Sequence, residues 1–129
     1  MYIKMKKNKK IRHSVLDISY LDNLYGKSGK NEYREIEGVQ VKITSQRYSV
    51  FKKSITCCEC DLKGSFLAVE QNHVGVEHYH INMYGVNEDG EEILFTKDHI
   101  QPKSKGGKNR LDNYQTMCVK CNLEKGNKI

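Results

Sequence analysis

The sequence predicts an α+β fold of short strands and a C-terminal helix in a chain of 129 residues, and three observations carry that expectation. Apolar and polar residues alternate over 39–43 and again over 78–83, which is the period of a strand. Asn87-Glu88-Asp89-Gly90 then turns the chain before a returning apolar run over 92–96, and an Asp-Gly step between two such runs signals a hairpin. Two Cys-x-x-Cys pairs, Cys57/Cys60 and Cys118/Cys121, supply a staple for a module too polar to hold itself together by a large core.

That polarity is measurable. Mean hydropathy is −0.73 and 37% of residues are apolar, so the expectation is one domain, or a small domain with an appendage. Lys and Arg total 22 against 16 Asp and Glu. The excess lies at the N-terminus, where Lys4, Lys6, Lys7, Lys9, Lys10 and Arg12 precede any acid. A second basic stretch follows Lys103. Two basic patches fit a polyanion partner.

Five cysteines argue against a closed disulfide framework and for thiolate–metal ligation in a reducing compartment. No apolar run reaches the length of a membrane span, and the basic N-terminus lacks the apolar core of a signal peptide. The expectation is a soluble, cytoplasmic protein with no membrane partner.

In chain order, residues 1–12 read as a flexible basic arm and 13–50 as an N-terminal appendage. Within the appendage, apolar spacings of three and four from Val15 to Tyr25 predict a helix over 14–25, with Ser14 and Asp17 near its start and Gly26 at its stop. A strand over 15–20 is the competing reading. Gly26-Lys27-Ser28-Gly29-Lys30-Asn31 is a loop without the glycine spacing of a phosphate-binding P-loop. A strand over 39–43 follows, and 47–51 reads as another. The Cys57 knuckle opens the third segment, 51–129. His78, His80 and Asn82 fall on one strand face and are expected to pack or face solvent rather than bind a metal. The returning strand leads into Asp98-His99, and a helix is expected to begin near Val119.

Four soft ligands at about 2.3 Å suit tetrahedral zinc, and each Cys-x-x-Cys turn presents two. Cys57, Cys60, Cys118 and Cys121 make a filled set, which predicts a structural ion with no open position. Cys58 is the spare thiol. The segment from Asp98 to Gly126 carries a different chemistry. An acid beside an imidazole, with asparagines further on, suits a hard cation such as magnesium or manganese acting on a phosphate.

Taken together, Asp98-His99-Ile100, Pro102, Ser104-Lys105-Gly106-Gly107, Asn113, Gln115, Cys118, Cys121-Asn122 and Lys125-Gly126, with Cys57 and Cys60 upstream, resemble the HNH endonuclease family. The likeness is to its zinc-stapled ββα-metal branch and covers about the last 30 residues plus the first cysteine pair. It implies a ββα-metal finger with a four-cysteine zinc staple, preceded by a β-hairpin and the small N-terminal appendage.

The resemblance also implies roles: His99 as general base, Asp98 and Asn122 as ligands of a catalytic Mg2+ or Mn2+, and Asn113 as the residue that pins the loop and orients the histidine. Many relatives have His where Asn122 stands. Lys103, Lys105, Lys108, Arg110 and Lys125 are expected to approach backbone phosphates.

The implied activity is hydrolysis of DNA phosphodiesters to a 3′-hydroxyl and a 5′-phosphate, by nicking or, in a homodimer, by double-strand cleavage. RNA, with the same phosphate chemistry, stays open as a partner. A phage or mobile-element origin is implied, which places the protein in the host cytoplasm. The rival reading is a non-catalytic zinc module that binds nucleic acid or protein.

Overall fold

A computed structural model describes residues 10–27, 29–72 and 78–127. Most of the expected basic arm, residues 1–9, lies outside the described residues. The centre of the fold is a five-stranded antiparallel sheet in the order β1-β4-β5-β6-β7. Its strands are β1 Ile11–Asp17, β4 Phe66–Gln71, β5 His80–Val86, β6 Glu92–His99 and β7 Tyr114–Cys118. A separate hairpin joins β2 Tyr33–Ile36 to β3 Val39–Lys42. Helix α1, Gln46–Lys53, follows β3, and helix α2, Val119–Asn127, follows β7.

The helix expected over 14–25 is not formed. Its first part is β1, paired with β4 from Ile11↔Gln71 to Asp17↔Phe66, and only a 3-10 turn over Ile18–Asn23 follows. The Asp17 carboxylate accepts from Ser19 N at 2.9 Å and marks where the strand stops. Tertiary pairing overrides the helical spacing because β4 offers an open sheet edge. The strand β4 is a continuous run, FLAVEQ, buried from Leu67 to Gln71. It carries no alternation, which is how a strand covered on both faces reads. The strand β1 begins at Ile11, so Arg12 belongs to the sheet rather than to the arm, and its Nε lies 2.8 Å from Glu70.

The strand expected over 47–51 is instead helix α1. Ser45 caps it, its hydroxyl accepting from Arg47 N at 3.2 Å, and Tyr48, Val50 and Phe51 face the core. The expected strand over 39–43 is β3. Its partner β2 turns back through Glu37 and Gly38, with φ of 48° and 87°, the two left-handed positions of a tight hairpin. The Asn87–Gly90 turn is a looser loop, with Asn87 Oδ1 accepting from Asp89 N and Glu91 N at 3.0 and 2.9 Å.

Leu21, Leu24, Val41 and Tyr48 share one core with Phe95, Met117 and Cys118. The two halves of the chain therefore bury their apolar surface together. Strands β5 and β6 pair only from Tyr84↔Leu94 to Val86↔Glu92 and then part. Beyond that point β5 stays on β4 while β6 stays on β7. Helix α1 packs against one side of the resulting wedge: Tyr48 Oη accepts from Ile81 N at 3.1 Å, and Arg47 Nη2 donates to Ile81 O at 2.9 Å.

Candidate active site and metal centres

The first centre is the thiol cluster. Cys57 to Asp61 forms a knuckle, with Asp61 N donating to Cys57 O and Asp61 at φ 66°. The bridge Thr56↔Lys63 closes it. Cys118 ends β7 and Cys121 lies in the first turn of α2. The four Sγ atoms lie within 4.8 Å of one another, and the Cys60 and Cys118 sulfurs are 3.9 Å apart. Ligands about 2.3 Å from one tetrahedral ion would have sulfurs about 3.8 Å apart, so the four thiols are compatible with a structural zinc.

Burial pushes the Cys57 thiol up, but N–H groups of Cys118, Cys60 and Glu59 outweigh it and bring it down to about 7. Cys58 stands outside the cluster. Burial and the charges of Cys57, Glu59 and Asp98 push its thiol up.

The second centre is a cleft of about 220 Å3 lined by Asp98, His99, Pro102, Lys103, Asn122, Lys125 and Gly126. Neighbouring strand residues ordinarily face opposite ways. Here β6 ends at His99, and the chain turns at Ile100, so both side chains reach the same cleft. Helix α2 packs on β6 and brings Asn122 and Lys125 to it.

Asp98 is largely enclosed, its side chain 12% exposed. Its Oδ2 accepts from Gln115 Nε2 at 3.1 Å and from Lys125 Nζ at 2.5 Å. The Asn122 amide nitrogen donates to Thr96 Oγ1 at 2.8 Å, which leaves its carbonyl oxygen for a cation. These are hard oxygen donors, and the Lys125 ammonium already holds positive charge beside them. The donor set fits a divalent hard cation.

His99 is held on two sides. Its ring packs on Tyr114 with centroids 4.9 Å apart, and Nε2 meets Asn109 Oδ1 at 2.8 Å. Asn113 staples the loop that follows. Its Oδ1 accepts from Gln101 N at 2.9 Å, and its Nδ2 donates to Gln101 O and Lys108 O at 3.1 and 2.8 Å. Its backbone oxygen accepts from Ile100 N at 2.8 Å. The two glycines of the loop are required: Gly106 sits at φ 89°, and a Cβ on Gly107 would stand 1.8 Å from Gln101 O.

Of the expected phosphate contacts, Lys103 lines the cleft, Lys105 and Lys108 are exposed on the loop, and Arg110 pairs loosely with Asp112 at 3.5 Å. Lys125 points inward to Asp98. Two residues beside His99 escape sequence reasoning. Tyr114 is legible only once the register His99↔Tyr114 is known. Asn109, a polar loop residue, carries no local signal at all.

Strands β6 and β7 with helix α2, a four-thiol cluster at their base and an acid–imidazole cleft at their tip, define the class: a ββα-metal domain. The HNH endonuclease family model matches residues 87–128, about a third of the chain. Residues 1–86 lie outside the match. No curated protein and no solved structure matches the chain. No helix among the described residues is long and apolar enough to cross a membrane.

Proposed function

We propose that the protein is a metal-dependent endonuclease that hydrolyses DNA phosphodiester bonds, with residues 51–129 carrying the chemistry and residues 13–50 completing their core. The observation that supports it best is the convergence of Asp98, His99 and Asn122 on one cleft. A phosphodiester repels nucleophiles, so its cleavage needs a base for water and positive charge at the phosphate. A magnesium or manganese ion held by Asp98 and Asn122 would supply that charge and assist the leaving oxygen.

His99 takes the proton from water. Asn109 Oδ1 can only accept, so it fixes the proton of the neutral ring on Nε2 and leaves the lone pair on Nδ1. Asn113 positions the loop that carries Pro102 and Lys103 into the cleft. Lys103, Lys105, Lys108 and Arg110 contact neighbouring phosphates, which position the substrate without specifying sequence. The products carry a 3′-hydroxyl and a 5′-phosphate.

A monomer nicks; a homodimer would cut both strands. The test is plasmid cleavage by wild type and His99→Ala with magnesium and manganese, with DNA and RNA substrates side by side. Nicking by wild type that His99→Ala loses supports the reading. Absence of nicking under every metal leaves a zinc-held binding module.

A further inference from the structure

A second cleft, about 390 Å3, opens where β5 and β6 part, lined by Lys10, Arg47, Asn72, His80, Asn82 and Lys97 together with residues of β6. Among the described residues no acidic side chain lines it. Its three cations bond to neutral oxygens only. Lys10 Nζ donates to Asn72 Oδ1 at 3.1 Å, Lys97 Nζ to Gln46 Oε1 at 2.9 Å, and Arg47 to Asn82 Oδ1 and Ile81 O at 3.1 and 2.9 Å. None of them is in an ion pair among the described residues.

Glu70, a carboxylate bonded to the lining residue Asn82, is taken up by Asn82, Tyr84 and Arg12. Half-buried positive charge without a counter-charge is costly to keep. Burial and the charges of Arg47 and Lys10 hold the neighbouring His80 down at about 4.

Lys97 brings the cleft towards the His99 site, two residues further along β6. Lys97 Nζ lies 4.3 Å from the Tyr114 ring centre, and the His99 ring packs on the same ring with centroids 4.9 Å apart. Lys97 and His99 therefore flank one aromatic ring, close enough to meet one stretch of strand.

We propose that this wedge between β5 and β6 binds a backbone phosphate of the same nucleic acid whose scissile bond lies at His99. Lys10 and Lys97 neutralise it and Arg47 hydrogen-bonds it. A guanidinium has five N–H donors, of which the contacts to Asn82 and Ile81 use two. Lys10, Arg47 and His80 all lie outside the residues that match the HNH model, so the site is an addition of the N-terminal half to the nuclease domain.

The inference rests on nucleic acid being the ligand of the His99 cleft, and its test separates the two. Binding of a short labelled duplex is measured on a His99→Ala background, which avoids a chelator that would strip the thiol cluster, across a range of salt. Lys10→Gln/Lys97→Gln is expected to reduce the slope of log K against log salt by about 1 per lysine removed. Lys30→Gln, which removes the same charge outside the cleft, leaves the slope as it is. Should the double variant lose its fold by near-UV dichroism, Lys10→Gln alone carries the test, because among the described residues its side chain hydrogen-bonds Asn72 alone.

An unchanged slope in the lysine variants, or an equal drop in Lys30→Gln, overturns the proposal even if wild type nicks plasmid. A lost slope with no nicking by wild type keeps the phosphate site and overturns the nuclease reading instead. In the same samples the His80 ring resonances should move on adding duplex, and their staying fixed would also overturn it.

Discussion

Lys125 and Asp98 form an ion pair in the cleft that His99 lines: Nζ lies 2.5 Å from Oδ2 and 2.9 Å from the carbonyl oxygen of His99. The ammonium thus sits against the carboxylate assigned to the divalent cation. A cation arriving at Asp98 would displace Lys125, whose released charge can then meet a backbone phosphate, the role expected for it from the sequence. Lys125→Met is expected to tighten Mn2+ binding by about fivefold, the equivalent of a part-exposed ion pair of about 1 kcal/mol, and to weaken DNA binding. Calorimetric titration with Mn2+ checks this. Weaker Mn2+ binding in the variant would show that Lys125 supports the cation instead of competing with it.

His99→Ala should reduce cleavage by about 10²–10⁴ while fold and DNA binding stay near wild type, the usual worth of a general base. Asn109→Ala should lower kcat with little change in KM, because among the described residues the Asn109 side chain hydrogen-bonds the imidazole and Tyr114. Single-turnover cleavage of a defined duplex resolves both. If Asn109→Ala instead raised KM alone, its place would be with the substrate rather than with the histidine.

Asn113→Ala removes three side-chain hydrogen bonds that hold residues 101 and 108. At about 0.5–1.5 kcal/mol each, in a half-exposed loop, the expected loss of stability is about 1–3 kcal/mol in urea titration. Activity should fall further than that loss of stability alone explains, because Lys103 and Pro102 ride on the same loop.

Removing the ion from the Cys57, Cys60, Cys118 and Cys121 cluster should unfold the sheet around β7, since the free energy of thiolate–zinc binding is folding free energy in such modules. Near-UV dichroism and Tm before and after strong chelation measure it. Cys118→Ser should mimic chelation, and Cys58→Ser should not. A chelated sample that kept its Tm would rule out a zinc staple.

His80 gives the pH dependence a sign. Burial, with the charges of Arg47, Lys10 and His78, pushes it down to about 4, and Glu70 opposes this only in part. The folded state keeps the ring neutral, while the unfolded chain takes up a proton below about 6.5. Stability from the neutral ring is therefore complete above pH 6.5 and is lost as pH falls towards 4. Wild type should lose more Tm over that interval than His80→Gln. Proton-driven release of zinc affects both proteins and drops out of the difference. Parallel Tm curves would place the titrating group elsewhere.

Short-range chemistry made much of the site legible in the linear chain. The resemblance to the HNH family singles out Asp98, His99 and Asn122, which meet at one cleft, and the Cys-x-x-Cys pairs, whose four sulfurs cluster. Val39 to Lys42, the Asn87 turn and the start of α2 near Val119 follow from alternation, turn residues and chain direction.

Residues 11–17 are a strand for a reason no local pattern holds: they pair with the edge of β4, a strand far along the chain. Asn109 and Tyr114 hold His99 because a loop and a neighbouring strand meet there, far along the chain from the imidazole they touch. The wedge that gathers Lys10, Arg47, His80 and Lys97 is of the same kind. It exists because two strands stop pairing, and strand pairing between distant segments has no local signature for a sequence to carry.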